Sequence, residues 1–122
     1  MEERGQFMKI LKPSMREKGR YVLFELQGGT WERCRTELMN RIREFMGAFY
    51  FSLSGVKHVE SLSKGRFFVL RVGREYLDLL RASAIFINDC KDSPIFVRSV
   101  IASGTLLKIR QKLKEVCKNG TD

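Results

Sequence analysis

Two segments of the sequence concentrate basic side chains, whose chemistry is the binding of phosphate groups. Residues 12–20 carry four cations and one acid, and residues 108–118 carry five cations and one acid. These cations are Lys12, Arg16, Lys18, Arg20, Lys108, Arg110, Lys112, Lys114 and Lys118. The whole chain has 23 Lys plus Arg against 14 Asp plus Glu, a net charge of +9. Such a charge favours polyanionic partners, with nucleic acid before an anionic membrane surface.

Residue groupings that carry protein catalysis do not occur in this sequence. His58 is the single histidine, so there is no histidine cluster. The three cysteines, Cys34, Cys90 and Cys117, lack the C-x-x-C spacing of a zinc site, and their odd number argues against a disulfide framework. Gly28 and Gly29 belong to no P-loop or dinucleotide motif. The sequence therefore predicts reduced cysteines, no cofactor bound by the protein and no autonomous active site.

The hydrophobic pattern divides the chain into strands and helices. Alternating or continuous apolar residues predict strands, and apolar residues at spacings of three and four predict helices. The predicted elements are a strand over 21–26, a helix over 31–46, a strand over 48–62 bent at Gly55, a strand over 66–72, a helix over 74–89, a strand over 95–102 and a last helix from 103–105 to 117. Thr30 is expected to cap the first helix and Gly47 to end it.

This order of elements, βαββαβ plus a helix, predicts an α/β fold of the α+β type. The expected architecture is ferredoxin-like, a four-stranded antiparallel sheet with two helices on one face, and the RNA-recognition module shares it. A basic N-terminal arm, 1–19, would precede one domain, 20–118, which includes the C-terminal helix, and 119–122 would form a tail. No stretch approaches the roughly 20 apolar residues of a membrane span, so we expect a soluble, cytoplasmic protein.

Three of the predicted strands carry apolar residues on both faces, so the second sheet face should be covered by the last helix or by another protein. The segment KGRFFVLR, 64–71, partly fits the sequence pattern of RNA-recognition modules. Arg66 and Arg71 replace two of its stacking aromatics. We therefore expect Phe67 and Phe68 to be packing residues, and not platforms for bases.

Three stretches resemble one known family in their order and spacing. They are REKGRYVLFEL at 16–26, REYLDLLRAS at 74–83 and ASGTLLKIRQKL at 102–113. The family opens with a basic arm that leads into an Arg-Tyr-apolar-apolar-Phe-Glu strand, which here is 20–25. In these stretches the chain resembles the small protein subunit of ribonuclease P shared by archaea and eukaryotes, named ribonuclease P protein component 2 in archaea.

The resemblance implies a subunit of an RNA enzyme that removes the 5′ leader from precursor tRNA. In that family the RNA cleaves with magnesium, and the protein positions and stabilises the catalytic region of the RNA. The implied partners are the ribonuclease P RNA and ribonuclease P protein component 3, a subunit with a TIM-barrel-like fold. The two proteins assemble as two copies of each, so self-association within a heterotetramer is expected, and precursor tRNA is contacted only indirectly.

RNA and protein contacts are then expected on different faces. The predicted RNA-binding residues are Arg16, Lys18, Arg20, Lys108, Arg110 and Lys112, which would hold phosphates without reading bases. The predicted protein-interface residues are Phe45, Met46, Phe49, Tyr50, Leu79 and Phe86. A solvated face is the alternative for the cations, and core packing is the alternative for the apolar residues. Residues 103–105, Ser-Gly-Thr, can cap the last helix, bind a phosphate, or do both.

Two other functions stay open from the residues alone. One is a generic RNA-recognition or ribosome-associated module that binds single strands through its sheet, which Ala substitutions at Phe67 and Phe68 would test. The other is a ferredoxin-like regulatory or oligomerising domain without an RNA role. Its RNA affinity would be weak and would not depend on the basic arm.

Overall fold

The computed structural model of the chain describes the backbone of residues 19–120 and the side chains of residues 19–117. Its strands are β1 Gly19–Gln27, β2 Lys57–His58, β3 Phe67–Gly73, β4 Asp89–Cys90, β5 Ser93–Pro94 and β6 Phe96–Ser103. Its α-helices are α1 Trp31–Met46, α2 Ala48–Ser54, α3 Leu77–Ile85 and α4 Leu106–Gly120, with single 3-10 turns at Glu60–Leu62 and Arg74–Tyr76.

Four strands form one antiparallel sheet in the order β2-β3-β1-β6. The long central strand β1 pairs with β3 on one side and with β6 on the other. β4 and β5 form a separate two-stranded hairpin between α3 and β6. The predicted α+β fold with a four-stranded antiparallel sheet is therefore confirmed.

The main core lies between the sheet and α1 to α3. The β1 residues Val22, Phe24 and Leu26 have no exposed surface, because every second side chain of a strand points to the same face. The α1 residues packed in this core are Trp31, Cys34, Leu38, Ile42 and Met46; the spacing predicted Phe45 as the last of them, but Phe45 is exposed. The helix begins after Thr30, whose hydroxyl accepts a hydrogen bond from the Arg33 N–H at 3.4 Å, and ends at Gly47 with φ +85°.

The strand predicted over 48–62 is wrong for most of its length. Residues Ala48–Ser54 form the helix α2, and only Lys57–His58 pair with β3. Aromatic residues such as Phe49 and Tyr50 favour strands only where a sheet surface is there to receive them. Here α2 follows α1 directly and packs against it, and Gly55, with φ +67°, ends the helix instead of bending a strand.

The helix predicted over 74–89 is also shorter than expected. A 3-10 turn occupies Arg74–Tyr76, α3 spans Leu77–Ile85, and the chain then enters the β4–β5 hairpin. Lys91 and Asp92 form the tip of this hairpin with φ values of +50° and +66°. The apolar spacing in this region marked the buried side of α3 but did not locate its end.

The last helix covers part of the second face of the sheet. Ile109 of α4 is fully buried and forms a second apolar cluster with Leu23, Phe67 and Val69. Leu113 and other half-buried apolar residues pack around this cluster. The sequence left open whether the last helix or another protein covers this face. The structure shows that the last helix of the same chain covers part of it. Within residues 19–120 no helix combines the length and apolar character needed to cross a membrane.

Candidate nucleic-acid and protein interfaces

The outer side of α4 carries cations because its inner side is occupied by apolar packing. Ile109 faces the sheet, so the side chains of Lys108 and Arg110 on either side of it in sequence are exposed. Lys112 is half-buried, and its Nζ lies 3.3 Å from Glu115 Oε1. A solvent-accessible ion pair of this kind contributes little stability and is screened by salt, so Lys112 can exchange Glu115 for a phosphate. The three predicted α4 cations therefore lie on the accessible part of one helix.

Arg20 lies beside the start of the same helix. Arg20 Nη1 lies so close to Gly104 that a Cβ atom at that position would be 3.3 Å from it. The same Nη1 donates a hydrogen bond to the Gly19 carbonyl at 2.9 Å. The Ser103 hydroxyl accepts a hydrogen bond from the Thr105 N–H at 3.2 Å, so the turn before α4 is held by its own side chain. The structure therefore brings Arg20 to the positive end of the helix that carries Lys108 and Arg110. Arg16 and Lys18 lie outside the described residues.

A group of exposed aromatic side chains lies where α1, α2 and α3 end or begin. Phe45, Phe49, Tyr50 and Phe86 are 50%, 67%, 51% and 69% exposed. The rings of Phe45 and Phe86 lie 5.9 Å apart, centroid to centroid, and those of Phe49 and Tyr50 lie 5.6 Å apart. We call Phe45, Phe49, Tyr50 and Phe86 the aromatic patch. An exposed apolar group of this kind is typical of a protein contact surface.

The other two predicted interface residues differ from the patch. Met46 is only 4% exposed and packs in the main core, in line with the core-packing alternative. Leu79 lies on the outer side of α3 and is 37% exposed. Ile85, at the end of α3, is 50% exposed, although it was not among the predicted interface residues.

Sequence reasoning also missed a charged cluster on the second sheet face. Glu25 of β1 is 6% exposed, and its carboxylate oxygens lie 2.6 Å from Arg98 Nε and 3.7 Å from Arg66 Nε. The Arg66 guanidinium also lies over the Phe67 ring, 5.1 Å from its centroid. Glu25 was visible in the sequence as the one acid in an apolar strand, but its partners come from other strands.

Two of the cysteines are buried together and are unsuited to nucleophilic chemistry. Cys34 of α1 and Cys90 of β4 are each 1% exposed. Burial, together with a hydrogen bond that the Cys90 thiol donates to the side chain of Cys34, raises the pKa of Cys90 to about 11, so its thiol stays protonated at neutral pH. In the part of the chain that the structure describes, no three His, Cys, Asp or Glu side chains group as metal ligands.

Residues 20–114 match the sequence model of the Rpp14/Pop5 family. Ribonuclease P protein component 2 of Methanococcus vannielii is 35% identical over 112 residues, which cover 89% of this chain and 85% of the relative. The component 2 protein of Methanocaldococcus jannaschii is 31% identical over 109 residues, covering 88% and 81%. A chain in the cryo-EM structure of yeast ribonuclease MRP shares the fold, with a TM-score of 0.53, 16% identity, and coverage of 83% of this chain and 95% of that chain. The resemblance to the small protein subunit of ribonuclease P is thus confirmed: the chain belongs to the Rpp14/Pop5 family.

Proposed function

We propose that this protein is a subunit of ribonuclease P that helps a catalytic RNA to remove the 5′ leader of precursor tRNA. The observation that carries the proposal is the 35% identity with a component 2 protein over most of both chains. The basic surface supports it, because an assembly built around RNA needs cations that neutralise phosphates. The chemistry of cleavage would belong to the RNA.

The role of the cations would be to position the RNA. Lys108 and Arg110 project from α4, and Arg20 lies at the start of that helix, so phosphates of one RNA segment could contact all three. Phosphate contacts fix the register of an RNA without reading its sequence. Lys112 would add a fourth contact by exchanging Glu115 for a phosphate, and Arg16 and Lys18 would extend the same surface.

Magnesium would be bound by the RNA, where it supports folding and cleavage. Protein cations that neutralise phosphates reduce the repulsion that magnesium otherwise screens. The protein should therefore lower the magnesium concentration at which the RNA is active. Precursor tRNA would be contacted only through the RNA.

The aromatic patch would bind the protein partner. Its two pairs of exposed aromatic side chains supply the apolar anchors that typically dominate protein interfaces. We assign the patch to the contact with ribonuclease P protein component 3, or to the self-contact within a complex of two copies of each protein. The patch and the cations of α4 lie on different elements, so protein and RNA could bind together.

The test is cleavage of a precursor tRNA by an archaeal ribonuclease P RNA at limiting magnesium. Component 3 is present throughout, and this protein is added or withheld. We expect strong stimulation only when both proteins are present, with a lower magnesium requirement. Absence of stimulation, with component 3 shown to be folded, would contradict the proposal and favour a single-strand RNA-binding module.

A further inference from the structure

The second face of the sheet is only partly covered by α4. The helix packs over Leu23 and Val69, but along β1 the same face continues to Glu25 and Gln27. On the edge strand β6 the partners of these two residues are Arg98 and Phe96. Phe96 is 54% exposed and the Arg98 side chain is 50% exposed, so this end of the face is open to solvent.

Glu25 fixes two arginines in this open region. Its carboxylate is 2.6 Å from Arg98 Nε and 3.7 Å from Arg66 Nε, and the Glu25 side chain is only 8% exposed. Arg98 Nε donates a hydrogen bond to Glu25, and Arg66 forms a longer ion pair with the same carboxylate. Among residues 19–117 no acid other than Glu25 forms an ion pair with these two arginines. Two cations against one buried acid leave a net positive charge at this place.

Phe96 lies on the same face as Arg98, two residues earlier in β6. Two residues of a strand span roughly 7 Å, so the aromatic ring and the guanidinium are close neighbours on the surface. A flat apolar ring beside oriented cations matches the two parts of a nucleotide. A base can stack on the ring, and a phosphate can accept hydrogen bonds from the guanidinium fork.

We propose that Phe96, Arg98 and Arg66 bind one nucleotide of a single-stranded segment of RNA. The inference rests on the proposed function and adds a second RNA site, on the sheet, to the surface of α4. The ligand is a single strand because the base faces of a duplex are already stacked. The exposed ring favours RNA over an acidic peptide, since a carboxylate gains nothing from an aromatic platform. Here Glu25 orients the Arg98 guanidinium through its 2.6 Å hydrogen bond.

The test measures binding of the full-length protein to a fluorescent uridine decamer by anisotropy over a series of salt concentrations. Phe96→Ala should weaken binding about tenfold and leave the salt dependence unchanged, because it removes only stacking. Arg98→Gln should weaken binding by a similar factor and also lower the salt slope by about 0.7, the value for one phosphate contact on a single strand. An abasic decamer should bind both the native protein and Phe96→Ala equally.

Two variants serve as controls. Arg43→Gln removes the same charge from an exposed position on α1, and we expect native affinity for the decamer. Arg98→Lys keeps the charge beside Glu25 but lacks the guanidinium fork, so it should bind more weakly than the native protein while keeping the native salt slope. Thermal melts of each variant show whether its fold is kept, and Phe96→Ala changes an exposed side chain only.

Native affinity in both Phe96→Ala and Arg98→Gln would overturn this site while leaving the proposed function intact. Displacement of the decamer by an aspartate-rich peptide, with no effect of Phe96→Ala, would overturn it in favour of a protein ligand. Failure of cleavage stimulation by the native protein would instead contradict the proposed function, independently of how the decamer binds.

Discussion

Both carboxylate oxygens of Glu32 accept a hydrogen bond from the backbone N–H of Gly65, at 3.1 and 3.2 Å. The Gly65 carbonyl in turn accepts the N–H of Trp31 at 2.6 Å. These bonds join the first turn of α1 to the turn that precedes β3, where Gly65 has φ +64°. The start of the helix and the start of the strand are therefore held in register by two adjacent residues of α1.

Glu32→Ala should lower the free energy of unfolding by about 1 kcal/mol, because an exposed charge-assisted hydrogen bond is lost. Urea denaturation measures this change. Glu44→Ala removes another exposed glutamate of the same helix and should change stability by less than about 0.5 kcal/mol. Equal losses in the two variants would show that the contact with Gly65 contributes nothing.

Phe68→Leu should destabilise the fold without affecting RNA binding. The Phe68 ring is fully buried and stacks on the rings of Trp31 and Phe24, at centroid distances of 4.8 and 5.1 Å. Replacing it by a smaller apolar side chain should cost about 1 to 2 kcal/mol of stability. Denaturation measures the loss, and anisotropy with single-stranded RNA should show native affinity. A selective loss of RNA affinity in the folded variant would support base stacking at this position.

The sequence alone predicted the elements whose signals are local. The capping residue Thr30, the apolar stripe and Gly47 together defined α1, and continuous apolar runs defined β1 and β3. Residues 48–54 were misassigned because an aromatic run has the same composition in a strand and in an exposed helix, and only the packing of α2 against α1 distinguishes them. The Arg98–Glu25 pair joins residues 73 positions apart, so it depends on strand register that no local pattern contains.

The stability of the protein should fall as pH rises above 9, in part because of Cys90. Burial raises the pKa of Cys90 from 9.0 to about 11, so between these values the unfolded chain loses a proton that the folded chain keeps. This contribution is complete below pH 9 and is lost as pH rises through about 11. Between pH 8 and 10.5 the free energy of unfolding of Cys90→Ala should fall by about 2 kcal/mol less than that of the native protein. Urea denaturation at each pH measures this difference. Cys117→Ala, which changes an exposed cysteine, should keep the native pH dependence.

Phe86→Ser should weaken association with the protein partner while leaving the fold unchanged. The Phe86 ring is 69% exposed and contacts Phe45 on the surface, so its loss removes little buried area from the isolated chain. If the aromatic patch is the contact surface, truncating one anchor should weaken binding to component 3, or self-association, about tenfold or more. Calorimetry and sedimentation measure these two equilibria. Leu107→Ser alters an exposed apolar residue on α4, away from the patch. Native association of Leu107→Ser together with weakened association of Phe86→Ser would place the contact at the aromatic patch.

Lys108→Ala with Arg110→Ala should lower the salt dependence of binding to the ribonuclease P RNA. Each phosphate contact contributes at most about 0.9 to the slope of log affinity against log salt, so losing two should reduce it by at most about 1.8. Arg16→Ala with Arg20→Ala should give a similar decrease in the salt slope if the basic arm joins the same RNA surface.

Arg33→Ala with Arg43→Ala removes two exposed cations of α1 and provides the control for net charge. An unchanged slope in the α4 variant, with the fold retained, would mean that the cations of α4 are only a solvated face. An unchanged slope in the arm variant would remove Arg16 and Arg20 from the predicted RNA contacts.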